Sequence, residues 1–364
     1  MRKMSKLCSM VLAASAVMAM APASFAQAPQ VFTFKYASDS PPPENNPYTA
    51  AQDAWMVEVE KKSNGRIKFS RFWAQTLVPS ADQLRAVGAG IADVTTILSG
   101  FWPADIPLSN VAWLPGVTTD SWSGMMALRD LVKKHPAFMQ ELEVRNKIKY
   151  MTGSAVGPAG LITTRPVRTL DDLKGMKIIS IAGPLSDWLK ALGAVAVFIP
   201  APERYDALSR KTVDGFTGQP INISVFRYYE PAKYYIDSFL GSGSHYIAMN
   251  LSSWNRLPQD LKRIIEETET YGIEVAARKF QYEGYPQKIN DVMKPAGVQF
   301  TDPSPADVVR AKKVAREVVW EKWIRDNEAK KLPAREIFND FVLQYKKYEA
   351  ASPFKGQFPP SVLD

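Results

Sequence analysis

Side chains able to run catalysis or hold a metal are sparse in this sequence, and their spacing suits neither task. Its two histidines, His135 and His245, stand far apart. A metal site needs three or four ligands at workable spacing, so each histidine is expected to be a surface or packed residue. Cys8 is the only cysteine and lies near the start of the chain, which leaves no thiolate site further on. Asp171 and Asp172 form the one adjacent carboxylate pair of note. They open a short helical stretch, where acids cap and face the positive end of the helix dipole. Gly88-Ala89-Gly90-Ile91-Ala92-Asp93 evokes a dinucleotide loop, but Asp93 replaces the third glycine and the glycines end a helix instead of opening one. G-x-S-x-G, H-E-x-x-H and Walker-type sequences are absent. The expectation is a binding protein without catalysis, cofactor or metal.

The first residues point to export. Arg2, Lys3 and Lys6 precede an apolar run over 7–20, then Pro22 and Ser24-Phe25-Ala26. That is the three-part anatomy of a secretory signal over 1–26, cleaved after Ala26. A membrane anchor would need about 20 apolar residues, and this run is shorter. The expected location is the periplasm. The formal charge of +8 arises from 45 basic and 37 acidic residues. Three of the basic ones belong to the leader, and the rest are interspersed with acids. No basic tract with interleaved aromatics follows, so a nucleic acid partner is not expected.

The elements that must position a binding site alternate between strand and helix. Val31–Ala37 reads as a strand by its alternation and breaks at Pro41-Pro42-Pro43. A helix is expected over 48–63, ending at Asn64-Gly65, followed by a strand from Arg66. Ser80 with Gln83 three residues on gives a capping-box signal for a helix that Gly88 and Gly90 stop. A strand over 92–98 follows. Further on come Thr169 with Asp172 at a helix start, strands over 176–181 and 194–199, and helices over 185–192 and 202–209. Such alternation predicts an α/β fold with largely parallel sheets. Residues 258–288 read as one long helix of close to 45 Å at about 1.5 Å per residue. Two more helices follow, from Ser304-Pro305 and from about 327, before a proline-broken coil over 352–360.

Several fragments then occur in an order that resembles the DctP-type solute-binding proteins of TRAP transporters. They are Asn64-Gly65-Arg66-Ile67, Gln83 through Asp93, and Leu170-Asp171-Asp172-Leu173-Lys174-Gly175-Met176-Lys177-Ile178. Ala191-Leu192-Gly193-Ala194, Tyr205-Asp206-Ala207-Leu208, Val213-Asp214-Gly215 and Trp254-Asn255-Arg256-Leu257-Pro258 complete the series. The likeness covers about residues 31–290. It implies a two-lobe, periplasmic-binding-protein-like α/β fold with a ligand cleft between the lobes and a long linking helix. It also implies a small organic ligand and membrane subunits as partners. Lobe I is expected over 27–152 plus about 241–287, lobe II over 153–240 plus about 288–326, and a C-terminal helical extension over 327–364.

Two departures from the family pattern bear on the ligand. The family's carboxylate-pairing arginine after D-L-K-G-x-K-I is here Ile179, and the upstream stretch Gly157-Pro158-Ala159-Gly160-Leu161 carries no charge. Losing one partner of a buried ion pair costs about 3–5 kcal/mol, so the carboxylate must bind elsewhere or the ligand must differ. The expected ligand-binding residues are Ser38, Asp39, Leu98, Ser99, Phe101 and Trp102 in lobe I. In lobe II they are Ile179, Ser180, Phe216, Thr217 and Gln219. Arg204, Arg165 and Arg168 are alternative cations. An apolar, aromatic or atypically bound ligand is therefore expected, with a small C4-dicarboxylate excluded. An ABC-type receptor, a ligand-presenting sensory module and an exported enzyme are the competing readings.

Overall fold

The computed structural model describes residues 30–180, 183–236 and 241–354. The leader over 1–26, the end of the strand at Ile181 and the coil beyond Phe354 lie outside them. Among the described residues eleven strands form two sheets. They are β1 (Phe32–Ala37), β2 (Ile67–Phe72), β3 (Val94–Ile97), β4 (Ile148–Pro158), β5 (Gly160–Thr163), β6 (Lys177–Ile179), β7 (Val195–Val197), β8 (Gly215–Gly218), β9 (Tyr234–Ile236), β10 (Ser242–Asn250) and β11 (Gln299–Thr301). The first sheet has the order β2-β1-β3-β10-β4 and the second β11-β9-β5-β8-β6-β7.

Each sheet is parallel but for one strand. β10 runs against both neighbours in the first sheet, and β5 against both in the second. β5 is the strand by which the chain first enters the second sheet after crossing from the first, and β10 the one by which it returns. β4 passes to β5 through the single residue Ala159, whose N–H donates to the Gly241 carbonyl at 3.1 Å. Gly241 begins the return path into β10, and its φ of +72° suits a residue without a Cβ. The sheets therefore divide at Ala159, beyond the expected boundary at 152.

The alternation in β1 works as the sequence implies. Phe32, Phe34 and Tyr36 are buried, while Thr33 and Lys35 are exposed. Phe34 packs with Trp55 and Met56 of helix Pro47–Lys62 and with Leu261 and Ile265 of the long helix. That long helix begins as Gln259–Ala277 and continues through wider helical turns to Met293. Met293 sits in the core of the second lobe beside Phe216 and Tyr228, so one helix is anchored at both ends. The following helical run, Pro305 to Glu328, also ties both lobes. The Trp188 indole of the second lobe donates to Ala311 O (3.3 Å). Trp320 and Trp323 of the run donate to Pro115 O (2.9 Å) and Pro107 O (3.2 Å) of the first. The last helix, Ala334–Ala351, lies on helix Ser121–Lys134. There the Tyr345 hydroxyl accepts from the Thr119 and Asp120 N–H groups at 3.0 and 3.1 Å. Among the described residues no helix is long and apolar enough to cross a membrane.

Candidate functional site

A cleft of about 610 Å³ opens between the two sheets. On the first lobe its wall comes from the loops after β1 and β3, from helix Pro47–Lys62, and from β10. Asp39 follows β1; one of its carboxylate oxygens accepts from the Ser40 hydroxyl (3.0 Å) and the other from the Ser80 hydroxyl (3.4 Å). Burial raises the Asp39 pKa, opposed by these hydroxyls and by the Arg204 charge across the cleft. Leu98, Phe101 and Trp102 follow β3, and the Trp102 indole donates to Ala81 O at 3.1 Å. This bond turns Trp102 into part of the wall with no N–H left to offer.

Trp113, also on this wall, rides on the 3₁₀ segment Leu108–Trp113. Glu141 holds that segment from behind. Its carboxylate accepts the Leu108 N–H (2.7 Å), the Ser109 N–H (3.0 Å) and the Ser109 hydroxyl (2.8 Å). Burial pushes the Glu141 pKa up to about 7, with the three donors acting in the opposite direction.

The second lobe contributes Phe198, Arg204, Phe216, Thr217, Gln219 and Asn222. Arg204 projects from helix Ala201–Ser209 and is 8% exposed. Its Nε donates to Ile199 O at 2.8 Å, and the guanidinium lies 5.3 Å from the Phe216 ring centroid. No described carboxylate lies within ion-pair distance of it. Burial lowers its pKa, while Tyr228 and Asp39 act to raise it; an arginine so placed remains charged. Gln219 accepts from Asn222 Nδ2 at 3.0 Å. Phe101 and Phe198 meet edge to face across the opening, with centroids 6.0 Å apart.

Seven of the eleven expected residues line this cleft: Asp39, Leu98, Phe101, Trp102, Phe216, Thr217 and Gln219. The other four stand behind it, and each has a physical reason. Ser38 and Ser99 are buried, and their hydroxyls serve local backbone: Ser38 Oγ accepts from Ser40 N–H (3.3 Å), and Ser99 Oγ donates to Ser109 O (3.3 Å). Ile179 is fully buried among Ile162, Leu208 and Val213. Its side chain faces the core of the second lobe, not the ligand space. Ser180 is buried and donates its N–H to Val197 O (2.9 Å). Of the alternative cations, Arg204 is in the cleft, whereas Arg165 pairs with Asp214 at 3.9 Å outside it and Arg168 is exposed.

Sequence reasoning missed Tyr48, Trp113 and His245, which also line the wall. His245 is buried, its Nδ1 3.0 Å from the Tyr48 hydroxyl and its ring stacked on Trp113. Nothing in the neighbourhood of a lone histidine in sequence announces this. Among the described residues no three His, Cys, Asp or Glu side chains gather in a way that could hold a metal. A second groove, of about 540 Å³, lies between the last helix and helix Ser121–Lys134. Of the charges that line it, Asp130 is already committed to Arg129, Lys134 and Tyr348.

Residues 37–326 match the profile of a family described as bacterial extracellular solute-binding protein, family 7. A curated relative named outer membrane transporter protein TsaT, from Comamonas testosteroni, is 25% identical over 80% of this chain and 85% of its own length. A TRAP periplasmic solute-binding protein of Desulfovibrio salexigens superposes with a TM-score of 0.73 at 27% identity. It covers 87% of this chain and 96% of that one. A TRAP solute-binding protein of Rhodoferax ferrireducens, solved with copurified benzoate, gives a TM-score of 0.79 at 22% identity over 88% and 99% of the two chains.

Proposed function

Because the chain belongs to family 7 of the bacterial extracellular solute-binding proteins, we propose that it is the periplasmic receptor of a TRAP-type transporter and takes an organic acid with an aromatic or extended apolar body. One observation carries the choice of ligand. The cleft holds a buried guanidinium, Arg204, which has Asp39 across the cleft but no described carboxylate within ion-pair distance, among Phe101, Trp102, Phe198 and Phe216. A planar guanidinium held at Nε and by a ring face keeps its outer nitrogens preorganised for a carboxylate. The rings around it would cover an apolar body.

Position 179, where the family pattern puts the cation, is core here. Arg204 enters instead from the helix after β7. A carboxylate bound to it would sit beside Phe216, in a place that suits a longer or flatter acid than a C4-dicarboxylate. Contacts from both lobes favour the closed form, and that form is what membrane subunits would read. Delivery to those subunits and export by the leader are parts of the same reading.

Native mass spectrometry of protein purified from a periplasmic fraction tests it. The reading expects a stoichiometric organic acid of apolar or aromatic body, released on denaturation. A copurified sugar, metal complex or short dicarboxylate would replace it.

A further inference from the structure

Three rings on the first-lobe wall form a unit that the carboxylate site does not use. Gly243 and His245 lie on the same face of β10, two residues apart, and the Trp113 ring lies across both. A Cβ at Gly243 would come within 2.7 Å of that ring, so glycine is what lets the indole settle there. Trp113 and His245 stack with centroids 5.0 Å apart and planes inclined by 26°. Tyr48 meets the histidine edge-on and places its hydroxyl 3.0 Å from Nδ1.

A phenol O–H is a stronger donor than an imidazole N–H, and an imidazole nitrogen is a stronger acceptor than a phenol oxygen, so the Tyr48 hydroxyl donates to Nδ1 of His245 and the imidazole proton sits on Nε2. Burial without a charged partner holds the His245 pKa well below its ordinary value, so the ring is neutral at pH 7. Among the described residues Nε2 is shielded from water and has no hydrogen-bond partner, and the same holds for Nε1 of Trp113. Two dry, unpaired N–H donors on residues that line a cleft are a standing cost that an acceptor atom would relieve.

Building on the aromatic-acid reading, we propose that the Nε2–H of His245, with Trp113 Nε1–H beside it, receives a second oxygen of the ligand. The solute is then an aromatic acid that also carries a hydroxyl or oxo oxygen on its ring. Arg204 belongs to the second lobe and His245 to the first, so such a ligand joins the lobes through its two polar ends. An acid with a bare ring would engage one end only.

Two histidines in the chain make the test direct: ¹⁵N-histidine labelling of the full protein, with His135→Gln for assignment, and benzoate against 3- and 4-hydroxybenzoate as probes. The empty protein is expected to show His245 as the neutral Nε2–H tautomer. One of the hydroxybenzoates at saturation should move that proton downfield, and benzoate should not. By calorimetry that isomer should bind about tenfold tighter than benzoate, the worth of one such hydrogen bond. His245→Phe should level the two acids by weakening the hydroxy acid alone, and His245→Gln, which keeps a donor near Nε2, should retain the preference. An Nδ1–H tautomer, an unmoved Nε2–H under saturating hydroxybenzoate, or a preference that survives His245→Phe would overturn the proposal. If His245→Phe fails to fold, the resonances of the unaltered ring decide. Benzoate binding with no hydroxyl preference defeats this proposal alone; failure of all three acids to bind defeats the aromatic-acid reading and this proposal with it.

Discussion

Replacing Arg204 by Met separates a ligand-binding cation from a structural one, because the two roles predict opposite effects in the empty protein. The side chain makes a 2.8 Å bond from Nε to Ile199 O, lies over the Phe216 ring at 5.3 Å, and interacts with Tyr228 and Asp39. Losing them costs about 1–2 kcal/mol. The same substitution removes a charge whose burial already lowers its pKa, and relief of that desolvation offsets the loss. The empty variant should therefore melt within a few degrees of the unaltered protein. With a carboxylate ligand the balance changes, because truncating one partner of a desolvated charge pair costs about 2–5 kcal/mol. A middle figure of about 3 kcal/mol corresponds to about 150-fold in affinity. Isothermal titration with benzoate should show that loss, while benzyl alcohol, which has no charge to pair, should lose far less. Benzoate affinity held within about threefold, or equal losses for the acid and the alcohol, would refute the assignment of Arg204 as the carboxylate's partner.

Three further outcomes follow from the same geometry. Ile179→Arg would bury a guanidinium in the packed second-lobe core at a cost of several kcal/mol. Differential scanning calorimetry of the empty variant should show a drop in Tm of several degrees; an unchanged Tm with new affinity for succinate would place residue 179 on the cleft. Glu141 has an ordinary pKa of 4.5 raised to about 7 in the fold. Between these values the folded carboxyl holds a proton that the unfolded one has lost, so its contribution falls as pH rises from about 4.5 to about 7 and stays lost above. Denaturant titrations at pH 5 and 8 should show Glu141→Gln less destabilised at pH 8 than at pH 5, by at most about 3 kcal/mol; parallel pH profiles would contradict this. Small-angle scattering should show a smaller radius of gyration with saturating ligand, and an unchanged one would count against closure of the lobes.

Where local pattern and tertiary context agreed, the sequence was readable. β1 and helix Pro47–Lys62 follow their periodicities to within a residue or two. Thr169 and Asp172 flank a short helical start as expected, and there they also form a capping box. The one expected at Ser80 and Gln83 does not form, because the Ser80 N–H goes to Gln75 Oε1 (3.1 Å) and its hydroxyl to Asp39. A tertiary contact there outbids a local one. The two long strands, β4 and β10, were not read from the sequence. Their glycines at 153 and 243 look like turn formers, but Met125 presses on one and Trp113 on the other. The candidate site was legible where it follows strand ends, as at Asp39, Phe101 and Gln219. It was not legible at His245, whose role comes from Tyr48 and Trp113, brought to it by the fold. Ile179 shows the converse: expected to face the ligand, it is buried in the second-lobe core.

The central claim is that this cleft receives an organic acid of aromatic or extended apolar body. Calorimetric titration of the unaltered protein, freed of any carried ligand by unfolding and refolding, tests it most directly, with the benzoates on one side and succinate and malate on the other. The account predicts saturable, one-to-one binding of at least one benzoate, with no measurable heat from either dicarboxylate. Tight binding of succinate or malate with no response to any benzoate would contradict it.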